Sequence, residues 1–136
     1  MSFDPEELRA EFPILSTRPG GAALHYLDNA ATAQSPISVI DAVMRHETAS
    51  RANVTRGVHA LAERATEAYE GARSVMARFL NAAAPGEVVF TSGTTGAINI
   101  LAQGLSPQIK PGDEIVVSEL EHHSNFVPWH MLRERT

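Results

Sequence analysis

Residues 87–118 read EVVFTSGTTGAINILAQGLSPQIKPGDEIVVS. An apolar run, Val88-Val89-Phe90, is followed by five small or hydroxylated residues and then at once by apolar residues at helical spacing. Pro111-Gly112-Asp113 makes a turn, and a second apolar run, Ile115-Val116-Val117, follows. The order predicts a strand over 87–91, a helix over 94–105, a turn over 106–113 and a strand over 114–118. Strand, tight loop, helix and strand make a βαβ unit. Strands this short and continuously apolar suit a parallel sheet buried on both faces. The expected fold class is therefore α/β.

In such sheets ligands collect beyond the carboxyl ends of the strands. Thr91-Ser92-Gly93-Thr94-Thr95 lies at one such end and Ser118-Glu119-Leu120-Glu121-His122-His123 at the other. A helix N-terminus offers unpaired N–H groups and the positive end of a dipole. Gly93, Thr94 and Thr95 would add a tight turn and two hydroxyls, making a cup for a phosphate. The plainer reading is that Ser92 or Thr94 caps the helix. Neither a P-loop nor a G-x-G-x-x-G fingerprint is present.

Three readings of the histidine cluster stand side by side. It is a polar loop, a flat imidazole stacked on a planar cofactor, or, with His130 and Glu121, a metal site at a spacing that matches no common zinc pattern. Neighbouring residues of an extended segment point to opposite sides, so at most one of His122 and His123 faces the cup. In Asp28-Asn29-Ala30-Ala31 the small side chains would let a ligand approach the backbone, or the stretch is an ordinary Asx-turn.

Outward from this centre, Asp4 and Pro5 open a short helix that runs to about Phe12. Residues 24–28 read as a strand. Ser35-Pro36 opens a helix to about Ala49 with Ile37, Ile40 and Met44 on its inner face. Residues 51–58 are irregular. A long helix spans about His59 to Leu80, with Leu61, Ala65, Ala68, Ala72, Val75, Met76, Phe79 and Leu80 at helical spacing, and a last helical segment lies near 125–135.

The chain has 136 residues, 43% hydrophobic and 20% charged, which suits one globular domain. A net charge of −5 argues against a nucleic-acid surface. No apolar run has membrane-span length, and the acidic N-terminus is not a secretory signal. Cysteine is absent, which rules out disulfides and suits the cytoplasm. Lys110 is the only lysine.

Four stretches in order, YLDNAATAQSP (26–36), RGVHALAERATEAYEGAR (56–73), VVFTSGTTGAINILAQGL (88–105) and GDEIVVSELEHHSNFVPWHML (112–132), resemble the N-terminal part of the SufS-type cysteine desulfurases. These are class-V aminotransferase relatives that use pyridoxal 5′-phosphate. The resemblance runs from about Leu8 to Leu132. It implies the N-terminal part of an aspartate aminotransferase-like, fold type I domain with an N-terminal helical arm. Residues 1–58 would be the arm and substrate-side loop, and 59–136 the start of the cofactor-binding domain. It assigns Gly93, Thr94 and Thr95 to the cofactor phosphate, His122 to stacking on the pyridine ring, and Ala30 and Ala31 to the substrate amino acid. Arg56 to His59 would lie near a homodimer interface, and Trp129 would be a packing residue. The implied reaction takes sulfur from L-cysteine, giving L-alanine and an enzyme persulfide that a sulfur-acceptor protein draws on for iron–sulfur cluster assembly. A selenocysteine lyase, a kynureninase-like or an aminotransferase-like enzyme would share the cup, and a non-catalytic truncated fragment is the reading from another class.

Three departures qualify the resemblance. Gly96 stands where glutamate usually follows GTT, and Thr55 stands where histidine often lies in N-x-H-R-G. The third departure concerns the covalent chemistry. The family holds its cofactor through a lysine and carries sulfur on a cysteine, both expected in the part of the pattern that follows Thr136. A five-residue strand would put Lys110 roughly 16 Å from the cup. The α-amino group of Met1 is the remaining amine. No catalytic residue is thus expected in this chain, and cofactor binding by it alone would be weak or absent.

Overall fold

A computed structural model describes residues 3–136. The chain divides into two compact units, Met1–Val75 and Met76–Thr136.

The first unit begins with α1, Pro5–Ala10. The Asp4 side chain accepts from the amides of Glu6 and Glu7, and proline occupies the first turn, where no amide is needed. Arg9 then ties α1 to the loop that follows: its Nη2 donates to the carbonyls of Leu15 at 2.9 Å and Leu24 at 2.7 Å. A second tie runs from the Ile37 amide to the Glu11 carbonyl at 2.8 Å, at the start of α2, Ile37–Arg45. A π-helical turn, His46–Ser50, continues α2, so the helical span closes near the expected end. The long α3, Ala60–Phe79, starts in this unit with Ala62 and Ala65 buried.

In the second unit α3 ends at a left-handed residue, Asn81 at φ 55°. The amide of Ala82 returns to the Ala77 carbonyl at 2.9 Å, which satisfies a carbonyl left open by the helix end. A 3₁₀ turn, Pro85–Glu87, follows, and Glu87 accepts the Ala83 amide at 3.1 Å. Then come α4, Thr94–Leu105, a 3₁₀ turn Ser106–Gln108, and the turn around Gly112 at φ 96°. The Lys110 amide donates to Asp113 Oδ2 at 2.7 Å in that turn. A 3₁₀ turn, His123–Asn125, leads into α5, Val127–Arg133. α4 packs against this turn and against α5. Ala77, Val88, Ala102, Pro128 and Leu132 form the buried set of this unit.

The helices lie where periodicity places them. The strands do not form: among the described residues no ladder is closed over 24–28, 87–91 or 114–118. Val88 is extended, at φ −101° and ψ 122°, but a strand also needs a hydrogen-bonded neighbour. Glu87 belongs to the preceding turn rather than to a strand. An apolar run predicts faces that want burial, and here Val89 is 73% exposed and Val116 94% exposed. The parallel sheet expected around α4 is thus absent among the described residues, although the helix and its flanking turns are in place.

The same absence of covering layers changes the helix faces. Ile37, Ile40 and Met44, expected on an inner face, are all exposed. On α3 the small residues Ala62, Ala65 and Ala77 are buried, while Leu61, Val75, Phe79 and Leu80 stay exposed. Close packing against alanine needs little chain, whereas the large side chains need a further layer to cover them.

Candidate functional site

The N-terminus of α4 is open. Its N-cap is Gly93 at φ 123°, ψ 171°, a conformation that side chains other than glycine's rarely adopt. No side chain caps the helix, so the plainer capping reading of Ser92 and Thr94 does not hold. The first amide paired along the helix is that of Ala97, to the Gly93 carbonyl at 3.1 Å. The amides of Thr94, Thr95 and Gly96 therefore make up the open turn. Thr94 and Thr95 are both exposed, so two hydroxyls stand beside those amides.

Beside this turn lies the histidine loop, and one serine joins the two. Ser124 Oγ is 2.7 Å from Thr95 Oγ1 and 3.0 Å from His122 Nδ1. The Ser124 amide donates to the same Nδ1 at 3.1 Å, so His122 caps the turn His123–Asn125. The loop is braced from its other side. Asn125 Nδ2 donates to Glu121 Oε2 at 3.0 Å, and Asn125 Oδ1 accepts Trp129 Nε1–H at 2.9 Å. Pro128 opens α5 and is buried, and Leu132 is 0% exposed. Each polar member of Glu121-His122-His123-Ser124-Asn125, apart from His123, thus has a partner that fixes the corner between loop and helix. His123 meets the His122 ring edge-on, with centroids 6.2 Å apart. His130 packs on Phe126 at 4.3 Å, and among the described residues no three acidic or histidine side chains converge as metal ligands.

Two members of this arrangement, Ser124 and Asn125, do not stand out in the sequence. Their signal is spacing: Glu121, Asn125 and Trp129 recur every four residues, and serine two places after His122 suits a local side chain-to-backbone bond.

Ala30 and Ala31 sit in the first unit on an exposed turn, closed by the Asp28 backbone carbonyl, which accepts from the amides of Ala31 at 3.2 Å and Thr32 at 3.1 Å. Tyr26 holds that turn, its hydroxyl donating to the Thr32 carbonyl at 2.8 Å with the Asp28 carbonyl 3.2 Å away. Lys110 lines an open groove in the second unit together with Phe126, Trp129, His130, Arg133 and Thr136. The α-amino group of Met1 is outside the described residues.

Comparison with known proteins gives one answer at three levels. The profile of the family "Aminotransferase class-V" matches residues 25–136. A cysteine desulfurase of Pectobacterium atrosepticum is 48% identical over 98% of the chain, and a probable cysteine desulfurase of Pseudomonas aeruginosa is 50% identical over 96%. The structure superposes on the apo cysteine desulfurase of Thermococcus onnurineus with a TM-score of 0.88 at 37% identity, covering 99% of this chain. It superposes on CsdA of Escherichia coli with a TM-score of 0.79 at 43% identity. The chain spans about a third of the length of these relatives: 33% and 32% of the two sequences, 32% and 33% of the two structures. With the profile covering most of its residues, the chain belongs to the class-V aminotransferase family.

Proposed function

We propose that this chain supplies the phosphate- and ring-binding part of a SufS-type cysteine desulfurase that uses pyridoxal 5′-phosphate. The observation that carries the reading is the open turn of α4 joined through Ser124 to the His122 ring. Its donor set suits a phosphate monoester: three free helix amides, two threonine hydroxyls and no carboxylate within Thr94–Leu105. The exposed imidazole beside it suits a flat aromatic ring. When bound, the cofactor supplies an electron sink for the substrate α-carbon.

In this reading Thr94, Thr95 and the amides after Gly93 hold the phosphate. His122 orients the ring and holds a proton beside it, and Ala30 and Ala31 leave room for L-cysteine. Residues 1–58 serve as arm and substrate-side loop and 59–136 as the start of the cofactor domain. The complete enzyme would be a cytoplasmic homodimer, giving L-alanine and passing sulfur to an acceptor protein for iron–sulfur assembly. The composition favours a chain that binds without turning over: it has no cysteine to take sulfur and a single lysine.

Equilibrium dialysis of the purified chain against pyridoxal 5′-phosphate tests this. Binding should be weak and reversible, and Thr95→Val should weaken it about tenfold, as expected for losing a hydrogen bond to a charged group. Lys110→Ala should change nothing. With L-cysteine the chain should release no more sulfide than free cofactor does. Absence of binding, binding indifferent to Thr95, or turnover that vanishes with Lys110→Ala would overturn the proposal.

A further inference from the structure

The contacts around Ser124 have a direction that distances alone do not give. The Ser124 amide can only donate, so at 3.1 Å it requires a lone pair on His122 Nδ1. The neutral ring therefore carries its proton on Nε2. Ser124 Oγ, 3.0 Å from the same nitrogen, can interact with it only as a second donor sharing that lone pair. Its oxygen then accepts the Thr95 hydroxyl proton at 2.7 Å. In that arrangement the relay runs from Thr95 to Ser124 to His122.

We infer that Ser124 is a positioning residue of this site, one that orients the His122 ring through Nδ1 and couples its state to the Thr95 hydroxyl. Its functional meaning rests on the cofactor-binding reading above, whereas the coupling itself needs no cofactor. An anion that takes the Thr95 proton leaves the Thr95 oxygen as an acceptor. The Ser124 hydroxyl then turns toward Thr95, and Nδ1 keeps only the amide. Occupancy of the α4 turn is thereby felt at the imidazole through one rotating hydroxyl.

Few charges compete for this rotor. Thr94–Leu105 contains no ionisable side chain. On the loop, Glu121 is engaged by Asn125 and His123 meets the ring edge-on. On α5, His130 packs on Phe126, and Arg133 lines the groove that holds Lys110.

Imidazole ¹⁵N–¹H spectra of the labelled full chain, recorded where His122 is neutral, provide the test. Thr95→Val should move the His122 Nδ1 resonance in the parent chain. In a Ser124→Ala background the same substitution should leave it unmoved. Ser124→Thr, which keeps the hydroxyl, should restore the response and serves if Ser124→Ala folds poorly. Inorganic phosphate should move the resonance in the parent and lose that effect in Ser124→Ala. A Thr95→Val shift that is absent in the parent, or equal in both backgrounds, overturns the inference. If Thr95 and Ser124 prove coupled but pyridoxal 5′-phosphate does not bind, the cofactor reading fails and the role of Ser124 stands. If the cofactor binds while the shifts are additive, the role of Ser124 fails and the cofactor reading stands.

Discussion

Thr55 holds a backbone conformation that its side chain resists. It sits at φ 71° with its amide donating to Thr66 Oγ1 at 2.9 Å. A β-branched residue is strained in the left-handed region, whereas asparagine tolerates it. Thr55→Asn keeps the amide bond and should stabilise the chain by about 1 kcal/mol, read as a raised thermal midpoint. Two residues on, Gly57 is required by space: a Cβ there would lie 2.1 Å from the Cβ of Ala62, which is 0% exposed. Gly57→Ala must push the loop off the first turns of α3 and should cost about 1–3 kcal/mol. Loss of helical circular dichroism at lower temperature would show it. Neither the strain nor the clearance shows in the sequence, where Asn53-Val54-Thr55-Arg56-Gly57 reads as irregular and Thr55 only as a departure from N-x-H-R-G. The strain is set by a hydroxyl eleven residues away and the clearance by a helix not yet begun.

At the scale of elements the sequence is legible wherever a signal is local. Asp4-Pro5 marks the start of α1, Gly93 the start of α4, and periodicity the spans of α3 and α4. The segments read as strands fail because pairing is a non-local property. A run such as Ile115-Val116-Val117 announces faces to bury and cannot announce a neighbour. The site is legible in the same measure. Gly93, Thr94, Thr95 and His122 stand out by type, but Ser124 acquires its place only when α4 and the loop meet. Gly96 shows that α4 retains slack. A Cβ built there meets only Ser92 Oγ, at an ordinary 3.6 Å, and the backbone is helical. Gly96→Ala should therefore stabilise α4 by about 1 kcal/mol, and chemical denaturation should show a higher midpoint with an unchanged slope.

For the molecule as a whole, exposed apolar surface is the dominant feature. Leu27, Val58, Val116 and Leu120 are each more than 90% exposed, and Phe79 is 80% exposed. Surface of this kind in contact with water drives association. We expect the isolated chain to self-associate in sedimentation at micromolar concentration, with fast amide exchange over 114–118. A dilute monomer with strong protection there would contradict this. No helix among the described residues is long and apolar enough to cross a membrane, so this surface is not that of a helical span.

The brace behind the histidine loop has a photophysical consequence. Trp129 is the only tryptophan in the chain, and its indole N–H is tied to Asn125, which in turn holds Glu121. Indole emission shifts in colour and lifetime with the hydrogen bond at its nitrogen. All tryptophan light from this chain therefore originates one side chain away from the segment that carries His122 and Ser124. The protein contains its own optical probe of that corner, and no label is needed to follow it.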